Sequence, residues 1–147
     1  MVKRFKVVKE NYPMIAETTI IGNDVLITIT GGDTPHIGTI TAFSKNGRKE
    51  TTRFPSHHGR FHKDDVLADF LFAEIKEKLP GNCVITAGVH VNHISNAQIQ
   101  ASSAMAKSLG RQIADWFDTF TFKQAAPIYY TNQEKPKKRG QITAFFI

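Results

Sequence analysis

Six histidines, His36, His57, His58, His62, His90 and His93, all fall between positions 36 and 93 of a 147-residue chain. Imidazole donates and accepts hydrogen bonds, ligates metals and changes charge near neutral pH, so this crowding is the first chemical signal. His36 follows the turn Gly31-Gly32-Asp33-Thr34-Pro35, and His57, His58 and His62 precede Lys63-Asp64-Asp65. His90 and His93 precede Ser95-Asn96-Ala97-Gln98, a capping box. Both of the latter segments read as helix starts. A helix start leaves backbone N–H groups unpaired at the positive end of the dipole, a natural seat for phosphate or carboxylate, and Lys63 adds a charge to one of them. Three polar loop ends are thus expected to converge on one anionic ligand.

Other chemistries fit the spacing less well. His90 and His93 could share a metal, but no pair of histidines has the i, i+4 helical spacing of a zinc protease and no cysteine cluster accompanies them. Serine, histidine and aspartate are present without a nucleophile-elbow sequence. Cys83, the single cysteine, lies in an apolar strand-like run and reads as a small buried hydrophobe; it excludes an internal disulfide.

The elements that must position these residues are legible from alternation and turns. Thr28 to Thr41 joins two β-branched runs through Gly31-Gly32-Asp33-Thr34-Pro35, which reads as a hairpin end with His36 at its lip. Gly38, two residues on, is expected to leave bare backbone that a flat ligand could approach. Strands are expected from Phe5 to Lys9, Met14 to Ile21, Val25 to Thr30, His36 to Phe43, Thr51 to Phe54 and Asn82 to Val91. Leu67, Leu71, Ile75 and Leu79 mark a helix closed by Pro80-Gly81, and Met105, Leu109, Ile113, Trp116 and Phe120 mark a second. Ala101 to Ala104 are small enough for that helix to approach the sheet closely. This order of strands, helix, strand and helix implies an α+β fold, a mainly antiparallel sheet continuing as a meander, with two helices packed on one face.

Length and composition fit one domain spanning 1–147, with a core from about 5 to 121 and a basic tail or hairpin from 122 to 147. The net charge of +6 is uneven: residues 122–147 hold five Lys or Arg and one Glu, whereas residues 1–121 hold fourteen basic and twelve acidic side chains. The excess sits in Lys135-Pro136-Lys137-Lys138-Arg139, without the interleaved aromatics of a nucleic-acid groove. Nucleic acid is therefore not the expected partner. No apolar run reaches the ~20 residues of a membrane span, and Met1-Val2-Lys3-Arg4-Phe5 leads into no signal core, so a cytoplasmic location is expected.

Three motifs carry a family resemblance: Ile20 to Gly38, Arg60-Phe61-His62-Lys63-Asp64-Asp65, and Asn82 to Asn92. Together they resemble the LpdD-like proteins, accessory subunits of gallate and other hydroxyarylic-acid decarboxylases, over roughly residues 14 to 117. The resemblance implies a carrier or chaperone for prenylated flavin mononucleotide (prenylated FMN, or FMN itself). Its implied partners are a UbiD-type decarboxylase catalytic subunit and the flavin prenyltransferase, with homo-oligomers left open. No family catalytic residues transfer with it.

Motifs and chemistry together give an expected cofactor-binding set of Gly32, Thr34, Pro35, His36, Gly38, His62, Lys63, Asp64, Gly88, His90, Asn92 and Ser95, with no catalytic residue and no metal ligand. Lys63 or the Ser95 helix start would take the phosphate, Gly32, Gly38 and Gly88 would wall a flat ring, and His36, His62 and His90 would bond ring or ribityl groups. The competing readings are a small decarboxylase or metal-dependent enzyme built from the same histidines, and a ligand-free structural subunit.

Overall fold

Alternating side chains build the sheet. In β2 (Tyr12–Ile21), Tyr12, Met14, Ala16 and Thr18 are buried while their neighbours are at least partly exposed; in β3 (Asp24–Gly32), Val25, Ile27 and Ile29 do the same. Antiparallel pairing sets Ala16 opposite Ile29 and brings the two buried rows onto one face. The computed structural model describes residues 1–122 and 125–134. Within them β1 (Val2–Lys9), β4 (Thr39–Phe43), β5 (Lys49–Arg53) and β6 (Cys83–His90) complete a six-stranded sheet in the order β1-β2-β3-β6-β4-β5.

One expectation about the path of the chain is corrected. The turn Gly31 to Pro35 does not close a β3–β4 hairpin, because β6 lies between those strands, parallel to β3 and antiparallel to β4. Cys83-Val84-Ile85-Thr86-Ala87 is the most continuously apolar strand and takes a central position, where both edges are paired and both faces are at least half covered. The turn therefore passes over the end of β6, where Asp33 N and Thr34 N both donate to the His90 carbonyl at 2.6 and 3.3 Å. Nor does the strand expected from His36 begin before Thr39.

Helix α1 (Asp65–Ile75), continued by a 3-10 turn at Lys76–Lys78, and α2 (Asn96–Phe117) pack on the face carrying the buried rows. Ser95 caps α2 as its sequence implies: its Oγ accepts from Gln98 N and the Gln98 side chain accepts from Ser95 N. The helices lie close together at Gly110, where a Cβ would come within 2.7 Å of the Leu71 carbonyl. Ala104 of the small-residue run is exposed and takes no part. Phe5, Trp116, Phe117, Phe120 and Phe122 form an aromatic group at the β1 side. Cys83 is buried, and burial pushes its thiol up to about 12, which removes it as a nucleophile.

Among the described residues no helix is long and apolar enough to cross a membrane. Ile128, Tyr129 and Tyr130 are exposed and form no strand; the basic run 135–139 and the remainder of the expected tail or hairpin, to 147, lie outside the described residues.

Candidate functional site

β6, β3, β4 and β5 deliver their histidine-bearing ends to the same end of the sheet. There the turn after β3 leads into His36-Ile37-Gly38, the loop after β5 runs through Pro55 to His62, and α1 begins. The Pro55–Phe61 loop is pinched shut by a bridge between those two residues and by Ser56 N donating to the Arg60 carbonyl at 2.7 Å. His62 N then donates to the Phe54 carbonyl at 3.1 Å, which fixes where the imidazole starts.

His36 and His62 meet over this end, with ring centroids 4.8 Å apart. His36 Nδ1 lies 2.9 Å from the Thr34 carbonyl, which only accepts, so the neutral ring carries its proton on Nδ1 and presents a lone pair at Nε2. Nε2 is buried and has no hydrogen-bond partner. Asp64 reaches between the rings: its Oδ2 is 3.8 Å from His36 Nε2 and 3.5 Å from His62 Nδ1. Burial pushes the Asp64 carboxyl above its ordinary value, opposed by the backbone N–H of Val89 and, when they are protonated, by the two imidazoles. The neighbouring Asp65 behaves in the opposite way, because a bidentate hydrogen bond from Arg53 (3.1 and 2.8 Å) holds its carboxyl below the usual range.

The glycines of the expected set fill a different role from the one their sequence context suggests. A Cβ on Gly38 would lie 2.5 Å from Asp64 Oδ2 and 2.9 Å from His62 Cγ, so the space above it is occupied by the site's own side chains. A Cβ on Gly88 would run into the His36 carbonyl, and one on Gly32, whose φ is +74°, into the His90 carbonyl. The open glycine wall expected for a flat ring is thus corrected: these residues allow two loops to lie directly on β6 and so bring His36, His62 and Asp64 together.

Of the remaining expected residues, Thr34 orients His36, Pro35 sits in the turn between them, and Lys63 and His90 line the same cleft as His36, His62 and Asp64. Asn92 ties the rim together: its N donates to Asp33 Oδ2 at 2.7 Å and its Oδ1 pairs with His90 Nε2 at 3.1 Å. Ser95 is not brought to the cluster. Its helix start packs on the β1–β2 side of the sheet, where Gln98 Nε2 donates to the Glu10 carbonyl and Tyr12 OH to the Gln98 carbonyl. The α1 start, by contrast, has no side-chain cap.

Arg60, Phe61, His57 and Arg53 were missing from the expected set. The cleft beside the histidines, about 290 Å³, is lined by His57, Arg60, Phe61 and Lys63 as well as by the cluster. It adjoins a recess of about 650 Å³ lined by Arg53, Arg60, Phe61, Lys63, Asp65 and Val66. Phe61 and Val66 are exposed although apolar. The signal lay in the run Arg60-Phe61-His62-Lys63, where a cation and an aromatic flank the histidine, but reading it for imidazole and lysine alone passed over both. Cations for an anion, apolar surface for a ring and a rim of imidazoles suit a ligand with a charged tail and a planar, polar-edged head.

Residues 8–118 match a family described as the prenylated flavin chaperone LpdD-like domain. The chain is also 42% identical over 133 residues to Protein LpdD of Lactiplantibacillus plantarum (strain ATCC BAA-793 / NCIMB 8826 / WCFS1), an alignment that covers 90% of this chain and 98% of that one.

Proposed function

The chain belongs to the LpdD-like chaperone family, and from that premise we propose that it binds prenylated FMN and hands it to, or protects it for, a UbiD-type hydroxyarylic-acid decarboxylase. The observation that carries this reading is that Arg60, Lys63 and exposed Phe61 line one cleft together with the histidine rim. Arg60 and Lys63 serve the phosphate as charge-assisted donors, and the uncapped start of α1 adds its dipole. Phe61 and Val66 offer apolar surface to the tricyclic ring or its prenyl adduct. His90, on the rim, meets ribityl or ring oxygens.

A carrier must release what it holds. The cleft lies at a sheet end built from loops, open to solvent, and not in a closed interior. The expected partners are the decarboxylase catalytic subunit as recipient and the flavin prenyltransferase as source. Purification from cells that also make the prenyltransferase tests the proposal. The expected result is a flavin absorbance with the mass of prenylated FMN, followed by transfer of that flavin to the apo-decarboxylase on mixing. A colourless protein that takes up no prenylated FMN would leave a structural subunit. A decarboxylase already loaded with cofactor that still needs this chain at every turnover would make it a catalytic one.

A further inference from the structure

We propose that His36, His62 and Asp64 form a binding site for a first-row divalent transition-metal ion. Among the described residues this is the one group of three or more His, Cys, Asp or Glu side chains whose ligand atoms lie within 4.8 Å of one another. Two imidazoles and a carboxylate presented from one side make the 2-His-1-carboxylate set, which leaves further coordination positions for water or a ligand in the adjoining cleft. Imidazole donors select ions of the manganese-to-zinc series over Mg2+ and Ca2+, which prefer oxygen.

Hydrogen bonding within the cluster does not account for its shape. Asp64 Oδ2 is 3.8 Å from His36 Nε2 and 3.5 Å from His62 Nδ1, both too long for a hydrogen bond. Bonds of about 2.0–2.2 Å to a shared ion place neighbouring donors about 3.0–3.5 Å apart, so closure needs movements of no more than about 1.5 Å. His36 is prepared for this role. The Thr34 carbonyl holds the proton on Nδ1 and turns the Nε2 lone pair inward, which is how an outer-shell carbonyl fixes the tautomer of a metal-bound histidine. That Nε2 is buried without a partner, a state an acceptor tolerates poorly unless something fills it. The Val89 N–H bonded to Asp64 orients the carboxylate in the same way. Gly38 supplies the room, since any side chain there would collide with both Asp64 and His62.

The inference stands apart from the flavin reading, because its test contains no flavin. Tag-free, chelator-treated protein is titrated with Co2+ alone, followed by visible d–d absorbance and by calorimetry. The expected result is one Co2+ per chain, displaced by Zn2+ and not by Mg2+. Asp64→Asn and His62→Ala, each checked for folding by circular dichroism, should weaken binding by at least about tenfold, while His93→Ala, outside both the cluster and the cleft, should leave it unchanged. Asp64→Asn preserves side-chain size, so it gives an answer even if His62→Ala fails to fold. Absence of saturable Co2+ binding by the folded wild type, or binding equally tight in Asp64→Asn, would overturn the assignment.

Discussion

The two ends of the sheet solve the same packing problem and differ in what they leave unmet. At the end where β3 and β6 begin, Asp24 Oδ1 accepts from Asn82 N at 2.7 Å, Asn82 Oδ1 accepts from Lys45 N at 2.8 Å, and Lys45 Nζ donates to the Leu79 carbonyl at 3.0 Å. Gly81 lets these loops touch, as Gly88 and Gly38 do at the other end. The recess there, about 230 Å³ with the stacked pair Phe43 and Phe72 in its wall, is bordered by Lys45 and Arg48, both already engaged, and by Lys76. At the histidine end the half-buried Asp64 has no hydrogen-bonding side-chain partner, His36 Nε2 has no hydrogen-bond partner, and Arg60, Phe61 and Lys63 line a cleft. One end spends its polar groups on the fold; the other holds them for something else. A site shows itself as the place where equivalent architecture stops satisfying its own chemistry.

The largest effect expected is from Gly88→Ala. Its Cβ must displace the backbone at His36, so the loss should reach about 3 kcal/mol, the upper end of overpacking, and should abolish ligand binding with it. Urea unfolding and flavin titration on one preparation check both. A smaller effect divides the two ends: Asp24→Ala removes the acceptor of Asn82 N and should cost about 1 kcal/mol of stability while flavin affinity stays at the wild-type value. A coupled loss of affinity would mean that the ends are not independent.

The smallest effect has the opposite sign. The folded-state pKa of Asp64 is raised, so its contribution to stability is complete below the unfolded value and is lost as pH rises through the folded one. Metal-free Asp64→Asn should therefore be at least as stable as wild type at neutral pH, with the gap closing in acid. Asp65 runs the other way: its lowered pKa gives stability above the unfolded value that is lost as pH falls through the folded one, so Asp65→Asn should destabilise at neutral pH and lose that effect in acid. Unfolding curves across this range check the pair, and a shared sign would contradict it.

Much of the fold was legible because it rests on local signals. Alternation in Met14 to Ile21, the Leu67-Leu71-Ile75 stripe and the Ser95–Gln98 box each act over a few residues and appear where expected. The insertion of β6 between β3 and β4 was not legible, because strand order depends on contacts between residues 40 to 58 positions apart, and a glycine turn serves a crossover as well as a hairpin. The site divides along the same line. Histidine crowding foretold that His36 and His62 share a region, but only the register of β6 against its neighbours shows Gly88 under His36 and Gly38 under Asp64. Ser95, chosen for its helix start, lies toward the β1–β2 edge of the sheet and uses its cap internally.

The most direct test of the account is equilibrium titration of prenylated FMN into wild type, Lys63→Ala and Asp24→Ala. Loss of one charge-assisted donor to the phosphate should weaken binding in Lys63→Ala by about 1.5–3 kcal/mol, roughly ten- to a hundredfold, with Asp24→Ala indistinguishable from wild type. Equal affinity in all three proteins would contradict the claim that the histidine end, and not the opposite one, is where this chaperone holds its ligand.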